Sequence, residues 1–506
     1  MENKFILGKG KDPVFVNLSR LNRHGFITGA TGSGKTITLK VIAENLSKNG
    51  IPVFLSDIKG DVASLAEKGE MNEKIAERVN LIGLEEYENR KYPIELFDVF
   101  GQDGISLRTS ISEMGPILLS KLLGLNPIQE GVLNIAFKIA DERGLLIIDI
   151  KDLRAMLNFV GDNATELSNT YGNISKQTVG AILRALLVLE EQGGDIFFGE
   201  PSFNVLDFLK KNENGEGIIN ILACDKLFGY PKLYSTFLLW LLSELYENLP
   251  EVGDLDKPKI VFFFDEAHLL FEEGMKVLID KIEMIVRLIR SKGVGIFFVT
   301  QKATDIPNDV LAQLGNRVQH ALNAYTPKEQ KEVKAIADSF RQEGEVDLVE
   351  EILNLRTGEA IVSVLGEDSK PGFAQKTMIS PPESKMGAMD PSLRMQIINS
   401  SYLYEKYQEA VDSTSAYEVL SSEKQEAEER ALKEKEEKEL EKIRASEAKL
   451  AEKERIAEEK RIEKLERQTG KKTDSVVDRL TKNIAGSVGR ELGRMITRGL
   501  FGGRKR

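Results

Sequence analysis

Gly29-Ala30-Thr31-Gly32-Ser33-Gly34-Lys35-Thr36 is the stretch whose reading decides the fold. It satisfies G-x-x-x-x-G-K-[ST] in full, and its flanks are the ones that motif requires. Gly25-Phe26-Ile27-Thr28 ahead of it is a short apolar run of strand type, and behind it Leu39, Ile42, Ala43 and Leu46 recur at helical spacing. Strand, glycine loop and helix together cradle nucleotide phosphates. The glycines let backbone N–H groups converge on an anion at the positive end of a helix. In such a loop Lys35 reaches the β- and γ-phosphates, and the Thr36 hydroxyl sits on Mg²⁺. Gly29, Ala30, Thr31, Gly32, Ser33, Gly34, Lys35 and Thr36 therefore predict a site for a nucleoside triphosphate, ATP with Mg²⁺.

Hydrolysis needs two further groups, and one strand offers both. Ile260-Val261-Phe262-Phe263-Phe264 is an apolar run that ends in Asp265-Glu266. Asp265 is predicted to hold Mg²⁺, and Glu266 to polarise the water that attacks the γ-phosphate. Asp265-Glu266-Ala267-His268 also spells a DEAH box, but companion helicase motifs at suitable spacing are missing, so His268 reads as a packed residue. The next apolar run, Val294–Thr300, ends at Gln301, a polar side chain placed to sense the γ-phosphate or orient water. Asp57 ends another strand, Ile51–Asp57, expected beside the P-loop strand. It suits either an indirect role near Mg²⁺ or the capping of the following turn. Arg287, Arg290 and Arg317 are candidates for neutralising transition-state charge, and residue type alone does not choose among them.

The rest of the chain is organised around these motifs. Continuous apolar runs at 217–223, 260–264 and 294–300, rather than alternating ones, predict strands covered on both faces, as in a parallel sheet. The expected fold is thus α/β, a RecA-like P-loop NTPase with a central, mostly parallel sheet. Residues 1–380 read as the ATPase domain, with a largely helical insertion at 105–215 and a last strand at 359–365. Residues 366–400 carry Pro, Gly and Ser and read as a boundary or strap, and 381–422 as a linker or strap. Residues 423–467 hold 16 acids and 14 bases, which predicts a long solvated helix or weak coiled coil. Residues 468–506 hold 10 bases and 3 acids. There Val476, Val477, Leu480, Ile484, Val488, Leu492, Met495, Ile496 and Leu500 recur every three or four residues beside Arg490, Arg494 and Arg498. This basic amphipathic tail suits a neighbouring subunit, an anionic membrane surface or phosphates.

With 506 residues, 41% of them hydrophobic, the chain has enough for a large core, and its net charge of −11 does not advertise nucleic-acid binding. One cysteine, Cys224, excludes an intrachain disulfide, and three histidines are too scattered for a metal site of their own. No signal peptide or membrane-spanning run is visible, so the expected location is the cytoplasm.

Several stretches carry a resemblance. Asn22-Arg23-His24-Gly25, Asp265-Glu266-Ala267-His268 and the run from Arg290-Ser291-Lys292-Gly293 to Thr300-Gln301 resemble the HerA/FtsK superfamily of RecA-like motor ATPases. Ser112-Glu113-Met114-Gly115-Pro116, Gln129–Phe137, Phe197-Phe198-Gly199-Glu200-Pro201, Leu314–His320 and the Gly489–Arg494 tail are more closely similar to the bacterial HerA-like YjgR-type family. The resemblance implies a ring-forming, hexameric homo-oligomer with ATP sites at subunit interfaces. It also implies that Arg290 is a trans-acting arginine finger and Gln301 a sensor glutamine. HerA itself is a DNA translocase that works with a nuclease. Here about 25 residues precede the first core strand, where HerA carries an N-terminal β-barrel, a departure that counts against the nuclease partnership and against DNA translocation with it. Two functions follow as expectations: a DNA-directed motor, or a nucleotide-regulated scaffold that docks partners or a membrane surface through its C-terminal tail.

Overall fold

The computed structural model describes residues 3–469 apart from 254, 272–275 and 345. The chain divides after Ser421 into two units. In the first, twelve strands among the described residues form one sheet: β1 (Lys4–Lys9), β2 (Pro13–Asn17), β3 (Gly25–Thr28), β4 (Val53–Asp57), β5 (Ile94–Asp98), β6 (Ile105–Ser106), β7 (Ile219–Ala223), β8 (Ile260–Phe264), β9 (Val294–Thr300), β10 (Asn316–His320), β11 (Glu359–Ser363) and β12 (Gln375–Ile379). Their spatial order is β2-β1-β12-β11-β10-β3-β9-β8-β4-β7-β5-β6. From β10 to β6 every pairing is parallel, and from β10 to β2 every pairing is antiparallel. The expected α/β architecture is therefore present.

The burial of each strand follows its composition. Every residue of β3, β4, β8 and β9 is buried. Helices covering both faces of a parallel sheet leave no solvated side, which is why these strands are apolar up to the polar residues at their C-terminal ends, Thr28, Ser56-Asp57 and Thr300. Aromatic rings fill the interior: Phe263 stacks on Phe297 at 5.1 Å and Phe54 meets Phe208 edge-on at 5.2 Å. The antiparallel arm differs, since β1 and β2 alternate buried and part-exposed positions. Helices Ile111–Leu122, Pro127–Arg143, Ile150–Asp162, Ala164–Tyr171 and Lys176–Leu189 fill the stretch between β6 and β7.

Three expectations are corrected. The strand ending in Asp57 is not beside the P-loop strand, because β9 and β8 lie between β3 and β4. The sheet does not end at residues 359–365, since β12, β1 and β2 continue it. The segment read as a boundary or strap also contains β12, and beyond it the chain runs as a strap held by the P-loop helix. Glu44, on the P-loop helix Lys35–Lys48, accepts hydrogen bonds from the backbone N–H of Glu383 (2.9 Å) and Ser384 (3.0 Å) and from the Ser384 hydroxyl. One turn to either side, Lys40 donates to the Lys385 carbonyl, and Lys48 pairs with Glu383 at 2.6 Å. Residues four apart share one helix face, so this charged stripe is what holds the strap.

Helix Ala416–Thr469 begins in the first unit, where Tyr417 N–H donates to Asp152 at 2.9 Å. Further along, Leu432, Leu440, Ile443 and Leu450 are exposed. The basic amphipathic tail predicted for 468–506 lies, from residue 470 on, outside the described residues. No helix among the described residues is long and apolar enough to cross a membrane.

Candidate nucleotide site

The parallel strands bring their C-terminal ends to one edge of the sheet, and the P-loop is sewn to that edge. Gly29 N–H donates to the Gln301 carbonyl (3.2 Å) beyond β9, and Ala30 N–H to the Ala321 carbonyl (2.8 Å) beyond β10. Gly358 N–H, just before β11, donates to the Ser33 carbonyl at 3.0 Å. Two of the loop glycines are forced. At Gly29 (φ 152°) a Cβ would lie 2.5 Å from the His320 Cβ, and at Gly34 (φ 118°) it would lie 3.2 Å from the Gly358 nitrogen. Left-handed backbone and close packing together admit no side chain there.

Gly34 is the N-cap of Lys35–Lys48, and no side chain caps that end. The first-turn N–H groups, which have no intrahelical acceptor, are thus left for an anion. Lys35 Nζ donates to the loop's own carbonyls, Gly29 at 2.6 Å and Ala30 at 3.2 Å. Burial lowers its pKa, against the raising effect of Glu266 and Asp265. Thr31, Gly32, Gly34, Lys35, Thr36 and Asp265 line one cavity of about 250 Å³. Asp265 is pushed up to about 7, first by burial and then by Glu266 beside it, so a cation at this carboxylate would restore its charge. The uncapped helix end, the loop glycines, Lys35 and the carboxylate together fit a Mg²⁺-nucleotide.

Glu266 occupies a left-handed backbone conformation (φ 47°), which is uncommon for a residue with a Cβ. Its side chain turns to the β4 turn, where Oε1 lies 3.3 Å from Lys59 Nζ. His268 Nδ1 is 3.4 Å from Oε2 but outside hydrogen-bond geometry, and both of these buried atoms lack a hydrogen-bond partner. Gln301 is exposed and follows β9 at the P-loop edge. Arg290 is part-buried in the turn Ile289–Lys292 that precedes β9. The register Gly25↔Phe297 and Thr28↔Thr300 puts the start of β9 at the end of the sheet away from the P-loop. Over a seven-residue strand that is about 20 Å. The structure thus brings the P-loop, Asp265, Glu266 and Gln301 to one edge and puts Arg290 at the other.

Asp57 resolves to a cap: its carboxylate accepts from the N–H groups of Gly60 (2.8 Å), Val62 (3.2 Å) and Ala63 (3.3 Å). Three contributors escape sequence reasoning. Lys59 lines the cavity beside Lys35, as does Gly387 of the strap. His320 braces the loop from beneath: Nδ1 donates to the Glu359 carbonyl (2.9 Å), and Nε2 accepts from the Thr38 hydroxyl (2.8 Å). Burial holds its pKa down at about 4, so the ring is neutral. Lys59 sits in a turn that the sequence marks as polar, whereas the other two carry no local signal.

A P-loop strand and a strand leading into Asp265-Glu266 on one parallel sheet, separated by the strand that leads into Gln301, define the class of RecA-like P-loop ATPase folds. Within it the chain belongs to the Helicase HerA-like C-terminal family, whose model matches residues 2–506. The chain is 24% identical over 398 residues to the DNA double-strand break repair helicase HerA of Sulfolobus acidocaldarius, covering 75% of this chain and 69% of that protein. It is 24% identical over 360 residues to the HerA of Sulfurisphaera tokodaii, covering 69% and 64%. Among solved structures, the plasmid coupling protein TrwB in complex with the non-hydrolysable GTP analogue GDPNP superposes with a TM-score of 0.51. There the identity is 15%, and 77% of this chain and 92% of that one are covered.

Proposed function

We propose that the chain is a Mg²⁺-dependent ATPase and the subunit of a ring-forming, HerA-type motor that acts on DNA. The observation that carries this reading is the convergence of Lys35, Thr36 and Asp265 on one cavity, with Glu266 next to Asp265 and Gln301 bonded to the loop through its carbonyl. Lys35 and the uncapped helix end bind and orient the triphosphate. Thr36 and Asp265 would hold Mg²⁺, which supplies neutralisation of phosphate charge. Glu266 accepts the proton of the attacking water, and Gln301 orients that water. Arg290 lies too far from this site to serve it and completes the site of a neighbouring subunit. The names of the archaeal relatives support DNA as the substrate of the motion, and the TrwB complex supports a triphosphate in this fold.

The test is steady-state ATP hydrolysis, alone and with single- or double-stranded DNA, using Glu266→Gln as the blank. Turnover several-fold above the blank, raised by DNA and weakened by salt as phosphate contacts are, supports the motor. Turnover indifferent to either DNA refutes the DNA-directed part and points to a nucleotide-regulated assembly role. A Glu266→Gln chain with full turnover removes Glu266 from the mechanism.

A further inference from the structure

Three lysines line the nucleotide cavity; Lys40 is engaged by Ser64 and the Lys385 carbonyl of the strap, and the other two are held differently. Lys35 rests on carbonyls of its own loop. Lys59 starts from a stiff turn, because the three N–H bonds to Asp57 fix the backbone around it. Its long side chain is half exposed and free to choose among anions within reach, and it is found 3.3 Å from Glu266 Oε1. Glu266 itself is only 11% exposed and does not line the cavity, whereas Lys59 does. The carboxylate assigned as the base is thus tied through one oxygen to a lysine of the phosphate cavity. Its other oxygen is buried without a hydrogen-bond partner. The oxygen that faces the ammonium has its acceptor capacity engaged there and is not presented to a water.

We infer that Lys59 switches between two anions: it pairs with Glu266 when no terminal phosphate is present, and moves to the γ-phosphate oxygens of a bound triphosphate, releasing Glu266 to the attacking water. No bond is made or broken and no proton moves in this exchange, since the ammonium only changes partners. A diphosphate lacks the oxygens Lys59 would take, so it leaves the pair intact. The lysine therefore ties readiness of the base to the presence of the group to be cleaved. The inference rests on the ATPase reading above and adds to it the residue that distinguishes tri- from diphosphate.

The test is calorimetric binding of Mg·ADP and of the Mg complex of the non-hydrolysable β,γ-imido analogue of ATP. The proteins are the unaltered chain, Lys59→Met, Lys59→Arg and Glu266→Ala. Loss of one charge-assisted phosphate contact predicts that Lys59→Met weakens the analogue roughly tenfold and ADP by less than about twofold. Lys59→Arg, which keeps the charge, should retain most of the preference. Glu266→Ala, which removes the competing anion, should increase it. ADP binding reports that each variant is folded. Equal weakening of both nucleotides by Lys59→Met, or an unchanged ratio, overturns the switch while leaving the ATPase reading intact. An unaltered chain that binds neither nucleotide overturns both.

Discussion

His320 offers a sharp test of how the P-loop is supported, because its protonation can be read through stability. The ring lies under the loop with both nitrogens engaged, Nδ1–H to the Glu359 carbonyl and Nε2 from the Thr38 hydroxyl. Burial, with Lys35 as a smaller contributor, brings its pKa from 6.5 down to about 4. A folded-state pKa below the unfolded one means that the unfolded chain takes up the proton first. The stabilising contribution is complete above 6.5 and is lost as pH falls toward 4. Linkage between those two values gives a loss of about 2 kcal/mol on going from pH 7 to pH 5. His24 is held down at about 4 in the same way, while Asp265 and Glu95, both pushed up to about 7, change stability in the opposite direction. A comparison of variants cancels these shared contributions. In His320→Gln the amide N–H replaces the donor to Glu359, the amide oxygen replaces the acceptor for Thr38, and nothing titrates. Urea unfolding followed by the fluorescence of the single, buried Trp240 measures both chains at the two pH values. The cost of His320→Gln should be about 2 kcal/mol smaller at pH 5 than at pH 7. A cost equal at both pH values would refute a neutral, buried His320 beneath the loop.

Two further outcomes follow from the site and the strap. Arg290→Ala and Lys35→Ala subunits should each be inactive, yet mixtures should recover part of the ATPase rate, because some interfaces then pair an intact Lys35 with an intact Arg290. No recovery in verified mixed assemblies refutes the trans role. Glu44→Ala strips the acceptor from two buried N–H groups and the Ser384 hydroxyl and removes the carboxylate that acts most strongly on Lys40. It should cost about 3 kcal/mol in urea unfolding and raise amide hydrogen exchange at Glu383 and Ser384, and unchanged exchange there would mean that the stripe does not hold the strap.

What was legible in the sequence depended on whether the deciding forces are local. The parallel strands announce themselves because burial on both faces demands unbroken apolar runs such as Ile260–Phe264 and Val294–Thr300. The P-loop is legible because phosphate binding fixes both its glycines and its lysine. The antiparallel arm is not. β1 and β2 are short and half-solvated, Gly8 interrupts the first, and β12 pairs with β1 across more than 360 residues of chain. The strap is illegible for the same reason, since its partners Lys40, Glu44 and Lys48 read as an ordinary charged helix stripe until the fold brings Glu383 and Ser384 against them. Lys59 was visible as part of a polar turn, but its pairing with Glu266 joins β4 to β8, a neighbour relation that the sequence misassigned by setting β4 beside the P-loop strand.

Arg290 shows where sequence and structure each supply half of an argument. Residue type does not separate it from Arg287 or Arg317, and only the family resemblance singles it out. The sheet then adds a constraint independent of that resemblance. Because β3, β9 and β8 are parallel and in register, the residues that follow them (the P-loop, Gln301 and Asp265) must gather at one edge, and those that precede them must gather at the other. Arg290 precedes β9 and Gln301 follows it, so the strand itself holds them about 20 Å apart. No arginine rotamer spans that distance, and bending β9 to close it would cost the buried ladders on both sides. An arginine that serves this chemistry from position 290 must therefore serve it on another copy of the chain.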